Sequence, residues 1–215
     1  MTAMPLPLSR RSLLLAGAAT LALGACGSLI GPSNPSPQIW RLEPALAAPS
    51  GGAPASWQLA VARPTATAAL DTERIALLRG AVMDYYADVQ WNDAMPRLVQ
   101  ALLVEAFEKS GRVPAVAREA EGIRADYVLQ CDIRDFDAQY GAAADAAPQV
   151  VVEIEARLLA PRGEVVASLD ARQTARAGAN SVAGVVQAFD QALGAALGQI
   201  VSWTMQAAPV GGAAR

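Results

Sequence analysis

Few side chains in this 215-residue sequence could act as a nucleophile, a general base or a transition-metal ligand. Histidine is absent, and the two cysteines are Cys26 and Cys131. Without histidine, the sequence lacks the usual base of a Ser-His or Cys-His pair and the commonest metal ligand in proteins. Cys131 shares a strand face with Tyr127, Leu129 and Ile133, which predicts a buried structural thiol rather than a nucleophile.

Three aspartates, Asp132, Asp135 and Asp137, form the densest acidic cluster and could offer oxygen ligands to a cation. Asp135 and Asp137 share strand parity, but Asp132 faces the other way and Arg134 lies between them. No glycine loop surrounds the cluster, so we expect a solvated strand end and no metal site. Phosphate-binding loops and HExxH or GxSxG motifs are also missing from the sequence. We therefore predict a protein that is not an enzyme and uses no cofactor.

Cys26 ends an N-terminal segment that has the layout of an export signal. Arg10 and Arg11 precede thirteen uncharged residues, 13–25, which are too few for a bilayer span of about 20 residues. Four consecutive residues at its end resemble the lipobox of bacterial lipoproteins: Leu23, Gly24, Ala25 and Cys26. That resemblance implies cleavage before the cysteine, a diacylglycerol on its thiol and an acyl chain such as palmitate on its new amine. Simple signal cleavage is the alternative, and export by the twin-arginine or the Sec route is left open.

Removal of residues 1–25 as a signal peptide would leave 190 residues with 15 basic and 20 acidic side chains. The basic residues form no cluster, so nucleic-acid binding is not expected. We predict a lipidated cysteine and flexible Pro/Ser-rich tether at 26–37, one folded domain at 38–206 and a disordered tail at 207–215. The tether spans at most about 40 Å when fully extended, which keeps the domain close to its anchor.

Hydrophobic periodicity predicts an α+β domain, with one mostly antiparallel sheet of about six strands and two main helices packed on one face. The first helix would begin at a cap formed by Asn92 or Asp93 and end at Gly111. The second would be capped by Ser181. Strands are predicted from alternating apolar residues at 57–64, 74–80, 81–91, 126–136, 150–159 and 164–176, with a short strand at 38–44.

Several apolar and small residues have two interpretations at this stage. Tyr85, Tyr86 and Trp91 could floor a lipid-binding groove, but packing in the core is favoured. Gly194 and Gly198 have GxxxG spacing in the second helix, which either marks a close backbone approach or has no role. Ile39 and Leu42 would anchor the short strand at 38–44.

The order and spacing of these segments resemble the ABC-type transport auxiliary lipoproteins, the PqiC-like group of Gram-negative bacteria. Besides Cys26 and the tether, the resemblance is carried by IWRLEP (39–44), LAVARPTATAALDTERIALLRG (59–80), YYADVQWNDAMPRLVQALLVEAF (85–107), ADYVLQCDIRDFDAQY (125–140), VVVEIEARLL (150–159) and SVAGVVQAFDQALGAAL (181–197). It implies a non-catalytic periplasmic lipoprotein of the outer membrane. Such a subunit works with an MCE-domain protein, an integral permease and a cytoplasmic ATPase to move lipids between membranes.

Gly27 rather than an aspartate follows Cys26, which by analogy favours sorting to the outer membrane. Because the tether is short, we expect the MCE-domain partner to reach the domain and to dock on a sheet edge or on exposed helix surface. The resemblance leaves the lipid cargo, the choice between these docking surfaces and self-association into a homo-oligomer open. A stand-alone lipoprotein that binds a lipid or an envelope component, as a chaperone or scaffold, is the alternative function. It would need an apolar cavity inside the domain.

Overall fold

A long central strand organises the sheet of this protein, whose computed structural model describes residues 36–46, 53–143 and 145–208. The strands are β1 (Gln38–Trp40), β2 (Leu59–Val61), β3 (Thr65–Ala66), β4 (Arg74–Arg79), β5 (Val82–Trp91), β6 (Val116–Arg118), β7 (Tyr127–Tyr140), β8 (Gln149–Leu159) and β9 (Val165–Arg176). Two α-helices, α1 (Met95–Ser110) and α2 (Val182–Ala207), and a 3₁₀ turn at Glu119–Glu121 complete the elements of the described residues. The predicted signal peptide at 1–25 lies outside the described residues. Of the predicted tether at 26–37 only residues 36 and 37 are described, and of the predicted tail at 207–215 only residues 207 and 208.

The sheet is mixed rather than mostly antiparallel. On one side β7 pairs antiparallel with β8, and β8 pairs antiparallel with β9. On its other side β7 pairs parallel with β2, β3 and β4 in succession, and β2 also pairs parallel with β6. β4 and β5 form an antiparallel hairpin, to which β1 adds in parallel. Among the described residues, five of these eight pairings are parallel, so the prediction of a mostly antiparallel sheet with about six strands is wrong.

The long strands of the sheet follow the predicted alternation. Every second residue of β8, from Val150 to Leu158, is fully buried, and the residues between them include Glu153, Glu155 and Arg157 on the opposite face. A bulge at Arg134 shifts the register of β7, so Ile133 and Phe136 both face the core. The sequence pattern alone could not place this bulge, because one inserted residue inverts the parity of everything after it.

Both helices begin and end close to the predicted positions. Ala94 is the N-cap of α1 and makes no side-chain capping bond, so the predicted cap at Asn92 or Asp93 is wrong by one or two residues. The Asp93 carboxylate instead accepts the Ala94 N–H at 2.7 Å and pairs with Arg97. Gly111 ends α1 in the left-handed conformation at φ 62°. Ser181 caps α2 as predicted, with its hydroxyl oxygen accepting the Gly184 N–H at 3.2 Å.

The core lies between the helices and one face of the sheet. Its centre is an aromatic cluster in which Phe136 stacks on Phe189 with a centroid separation of 4.8 Å. Trp91 meets both rings edge-on and is 1% exposed, so it packs in the core as favoured and does not form a groove. Ile39, in contrast, is 63% exposed, whereas Leu42 is buried in the core and Trp40 and Leu46 pack against it.

Candidate docking surface

The thiol of Cys131 is chemically inert in this fold. It lies on the core face of β7, and burial raises its pKa to about 12. A thiol in this state holds almost no thiolate at neutral pH, and the thiolate is the nucleophilic form. The prediction of a buried structural cysteine is therefore confirmed.

The three aspartates of β7 do not converge on one point. The Asp132 carboxylate accepts the Thr65 hydroxyl at 2.7 Å, and Asp135 pairs with Arg172 at 2.8 Å. Asp137 is only 1% exposed, so the expectation of a solvated strand end is wrong for this residue. Burial raises the pKa of Asp137, and its Oδ1 has no hydrogen-bond partner among the described residues. Those residues contain no group of three or more acidic or sulfur ligands that could hold a metal ion.

Ion pairs cover the face of the sheet that points away from the helices. Glu155 pairs with Arg157 at 3.0 Å and with Arg134, and these guanidinium groups, Arg157 first, lower its pKa. Arg172 joins Asp135 to Glu153. Solvent-exposed pairs of this kind contribute little to stability. These pairs instead give the face alternating charges. The sequence indicated this, because Glu153, Glu155 and Arg157 alternate with the buried residues of β8.

The edge of the sheet at β9 has no partner among the described residues, because β9 pairs only with β8. Just beyond the strand, the Ala177 N–H donates to the Pro148 carbonyl at 2.9 Å, which shows that odd-numbered residues of β9 bond toward β8. In an antiparallel pair successive residues bond alternately to the two sides. The even-numbered residues Ser168 to Arg176 therefore present their N–H and C=O groups to the free edge. A strand edge of this length is a template for another strand.

Among the clefts that described residues form, two are prominent and both are open to solvent. One, of about 350 Å³, lies beside the ion pairs and is lined by residues that include Arg63, Thr65 and Glu155. The other, of about 520 Å³, lies where β4 meets the end of β7, against Arg79 and Tyr140. The large apolar side chains of the sheet pack against the helices in one continuous core instead of lining either cleft.

The two glycines of the GxxxG pattern have different surroundings. A Cβ on Gly194 would lie 3.0 Å from the Ala45 carbonyl oxygen, whereas a Cβ on Gly198 would meet nothing within 4 Å. The close approach at Gly194 is thus made by the segment after β1, which the Asp190 carboxylate also holds by accepting the Glu43 N–H at 2.7 Å. No helix in the described part of the chain is long and apolar enough to cross a membrane.

The residues predicted to carry the lipid anchor remain predictions. Cys26 and the signal residues Arg10, Arg11, Leu23, Gly24 and Ala25 all lie outside the described residues. The structure pairs Asp135 with Arg172, whereas Asp132 binds Thr65 and Asp137 is buried without an ion pair among the described residues. The free β9 edge was missed, because a strand pattern does not reveal which of its sides is paired.

Comparisons with known proteins identify the family. The family model of the ABC-type transport auxiliary lipoprotein component matches residues 40–201. The uncharacterized protein bll6063 of Bradyrhizobium diazoefficiens is 34% identical over 152 residues, which are 71% of this chain. The aligned region is 40% of that relative, so this chain spans less than half of its length.

Solved structures show the same fold. Protein XCC0632 from Xanthomonas campestris has 31% sequence identity and a TM-score of 0.73, over 79% of this chain and 95% of that chain. A further uncharacterized protein shares the fold at 12% identity, with a TM-score of 0.62 over 79% of this chain and 99% of its own. The family model covers most of the domain described above, and the resemblance in sequence extends along it. The chain belongs to the family of ABC-type transport auxiliary lipoprotein components.

Proposed function

We propose that this protein is a non-catalytic, lipid-anchored periplasmic subunit of an MCE/ABC-type system that moves lipids between membranes. In this proposal Cys26 holds it in the outer membrane, and the free β9 edge docks the MCE-domain partner. The family description supports a role in transport. The observation that carries the docking role is the unpaired edge of a twelve-residue strand.

The anchor is proposed from the lipobox at residues 23–26. Each buried methylene of an acyl chain contributes about 0.8 kcal/mol, so a diacylglycerol together with an N-linked chain holds a protein permanently in a bilayer. Eleven residues, 27–37, separate this anchor from β1. The domain therefore stays near the membrane surface, and its partner has to reach it there.

Docking at β9 uses the main chain as the source of affinity. A partner strand that pairs with the edge satisfies its outward N–H and C=O groups, and side chains on alternate positions supply specificity. Asp170 and Arg172, which are exposed on β9, would select the charges of that strand. A stand-alone lipid chaperone would use an enclosed apolar cavity, and both clefts described above are open to solvent instead.

The docking role is tested by co-purification of the lipidated protein with the MCE-domain protein of the same cell. Ser168→Pro removes one N–H from the free edge without removing a bond to β8, since proline is tolerated on the solvent side of an edge strand. Ser168→Ala is the matched control, because it changes the side chain and keeps the N–H. We expect the alanine variant to retain the partner and the proline variant to lose it.

A second position guards against a local fold defect. Thr174→Pro removes another outward N–H, and circular dichroism reports whether either proline variant is folded. If both proline variants are folded and retain the partner, docking at β9 is wrong. Cys26→Ala tests the anchor separately, since we expect it to release the protein from the membrane fraction.

A further inference from the structure

Three connections meet at one end of the sheet, which we call the hairpin end. They are the turn at Gly80 and Ala81, the connection from β7 to β8, whose described residues are 141–143 and 145–148, and the loop 177–181. The register places them together because Arg79 lies opposite Tyr140, and Gln149 lies opposite both Gln139 and Arg176. The N-terminus of α2 begins at the same end, directly after the third loop.

The connections of the hairpin end carry little charge, although Arg79, Asp84 and Arg176 flank them. Its three connections, together with Val82 and Met83, contain a single charged side chain, Asp145. Val82 is 67% exposed and Met83 is 37% exposed at the tip of the hairpin. The opposite end differs, because the loops 119–126 and 160–164 contain six charged residues: Glu119, Glu121, Arg124, Asp126, Arg162 and Glu164. Both ends expose two apolar side chains, since Val165 is 59% and Val166 is 37% exposed at the start of β9. The two ends therefore differ in the charge of their connections, which is lower at the hairpin end.

A cation and two tyrosines border the hairpin end. The guanidinium group of Arg79 lies over the ring of Tyr140, 4.7 Å from its centroid. The Tyr140 hydroxyl donates to Asn180 Oδ1 at 2.9 Å and lies 2.9 Å from the Tyr86 hydroxyl, which leaves Tyr86 as the donor of that bond. Tyrosine and arginine at the border of an apolar surface are typical of the zone between hydrocarbon and water in a bilayer.

The first residue of β1 is the one nearest to the hairpin end. Gln38 lies opposite Val89 in the parallel pair of β1 with β5, so β1 runs in the same direction as β5, which starts at Val82. Next to Val89 on β5, Gln90 pairs with Arg74 of β4. From Arg74 to Arg79, at the turn, β4 extends by five residues or about 17 Å. The ten residues 27–36 span up to about 35 Å when extended. An anchor at Cys26 can therefore reach the plane of the hairpin end.

We propose that the hairpin end lies in the headgroup region of the membrane that carries the Cys26 lipid. Val82 and Met83 enter the acyl boundary, and Arg79 faces lipid phosphates. This inference rests on the anchor in the proposed function, and it adds which end of the domain meets the bilayer. A bilayer is the expected contact of this end because the short tether keeps the domain close to the membrane that holds the Cys26 lipid.

The test places one reporter at each end of the sheet. Val82→Cys is compared with Val165→Cys, whose native valine is 59% exposed at the start of β9 near the charged end. Both variants are prepared as full-length lipidated protein in vesicles of phosphatidylethanolamine and phosphatidylglycerol, and are labelled with a membrane-impermeant maleimide. Cys26 is blocked by its lipid, and the buried thiol of Cys131, with its raised pKa, does not compete.

We expect the vesicles to slow labelling at residue 82 about tenfold relative to detergent-solubilised protein, because burying a valine-sized group disfavours its exposed state by this factor. Labelling at residue 165 should change by less than about twofold, since that end faces water. In a second readout, an environment-sensitive fluorophore at residue 82 should be quenched by nitroxide-labelled lipids, whereas the same fluorophore at residue 165 should not.

If the protein floats with the vesicles and the vesicles change the labelling rate equally at residues 82 and 165, this inference is overturned and the lipid anchor stands. Protection of residue 82 that rises with protein density at fixed lipid would assign the surface to a second copy of the chain, and would also overturn it. If the protein does not float at all, the anchor is wrong and the proposed function fails with it.

Discussion

Replacing the two glycines of the GxxxG pattern in α2 one at a time tests how the first described segment is attached to the domain. Alanine is favoured over glycine inside a helix by about 1 kcal/mol, so Gly194→Ala and Gly198→Ala begin with the same gain. At Gly198 a new Cβ meets no atom within 4 Å, and the full gain should appear. For a chain of this size that corresponds to a rise in Tm of about 2–4 °C.

At Gly194 the same methyl group meets a main chain that is held in place. The new Cβ would lie 3.0 Å from the Ala45 carbonyl oxygen and 3.4 Å from the Pro44 Cβ, so the segment 41–46 has to move by a few tenths of an ångström. The 2.7 Å bond from the Glu43 N–H to Asp190 opposes that movement. Overpacking of this kind destabilises by about 1–3 kcal/mol, which offsets the gain in helix propensity. We expect Gly194→Ala to be neutral or destabilising, and Gly194→Val to be clearly destabilising.

The measurement is urea denaturation followed by circular dichroism, with wild type and both alanine variants in one series. The free energy of unfolding of Gly198→Ala should exceed that of Gly194→Ala by at least about 1 kcal/mol. A Gly194→Ala variant that gains as much as Gly198→Ala would refute the packing of segment 41–46 against α2. It would also weaken the argument that fixes where the tether leaves the domain.

Two further substitutions test the sheet and the core. Burial raises the pKa of Asp137 in the folded protein. As the pH rises past the ordinary carboxyl range, the unfolded chain therefore loses the proton of Asp137 before the folded chain does, and the free energy of unfolding falls. Asp137→Asn should therefore stabilise the protein by about 1–3 kcal/mol at pH 7 and by almost nothing below about pH 4; an equal gain at both pH values in urea titrations would rule out a buried charge. Phe189→Leu breaks the stack on Phe136 and should lower the free energy of unfolding by about 1–2 kcal/mol, whereas an unchanged denaturation midpoint would show that the aromatic cluster is not tightly packed.

Periodicity in the sequence predicted the elements that bury a full face. The alternation in 150–159 identified the buried side of β8, and the caps at Gly111 and Ser181 marked helix ends within a residue. These features are local, because each depends on contacts made within one strand or one helical turn. Most of the core was therefore accessible before the structure was known.

Which strands pair with each other in the sheet could not be predicted from the sequence in the same way. β1, β2, β3 and β6 contain two or three residues each. The sequence predicted strands around β1 and β2, but elements this short do not indicate which strand they pair with. All four pair in parallel with a distant strand, and that choice depends on where helices and loops return the chain. The burial of Asp137 has a similar origin, since it lies between Ala76 and Val151, which are buried on the strands beside it.

The two proposed surfaces fit one orientation of the domain. β9 runs from the charged end at Val165 to the hairpin end at Arg176, and twelve residues of strand extend about 40 Å. If the hairpin end rests on the bilayer, the free edge of β9 rises from the membrane near Arg176 toward the charged end at Val165. Its outward groups then face the periplasm, where a partner strand can pair with them without contacting lipid. A short tether is sufficient for this arrangement, because the strand itself carries the docking edge outward from the anchor.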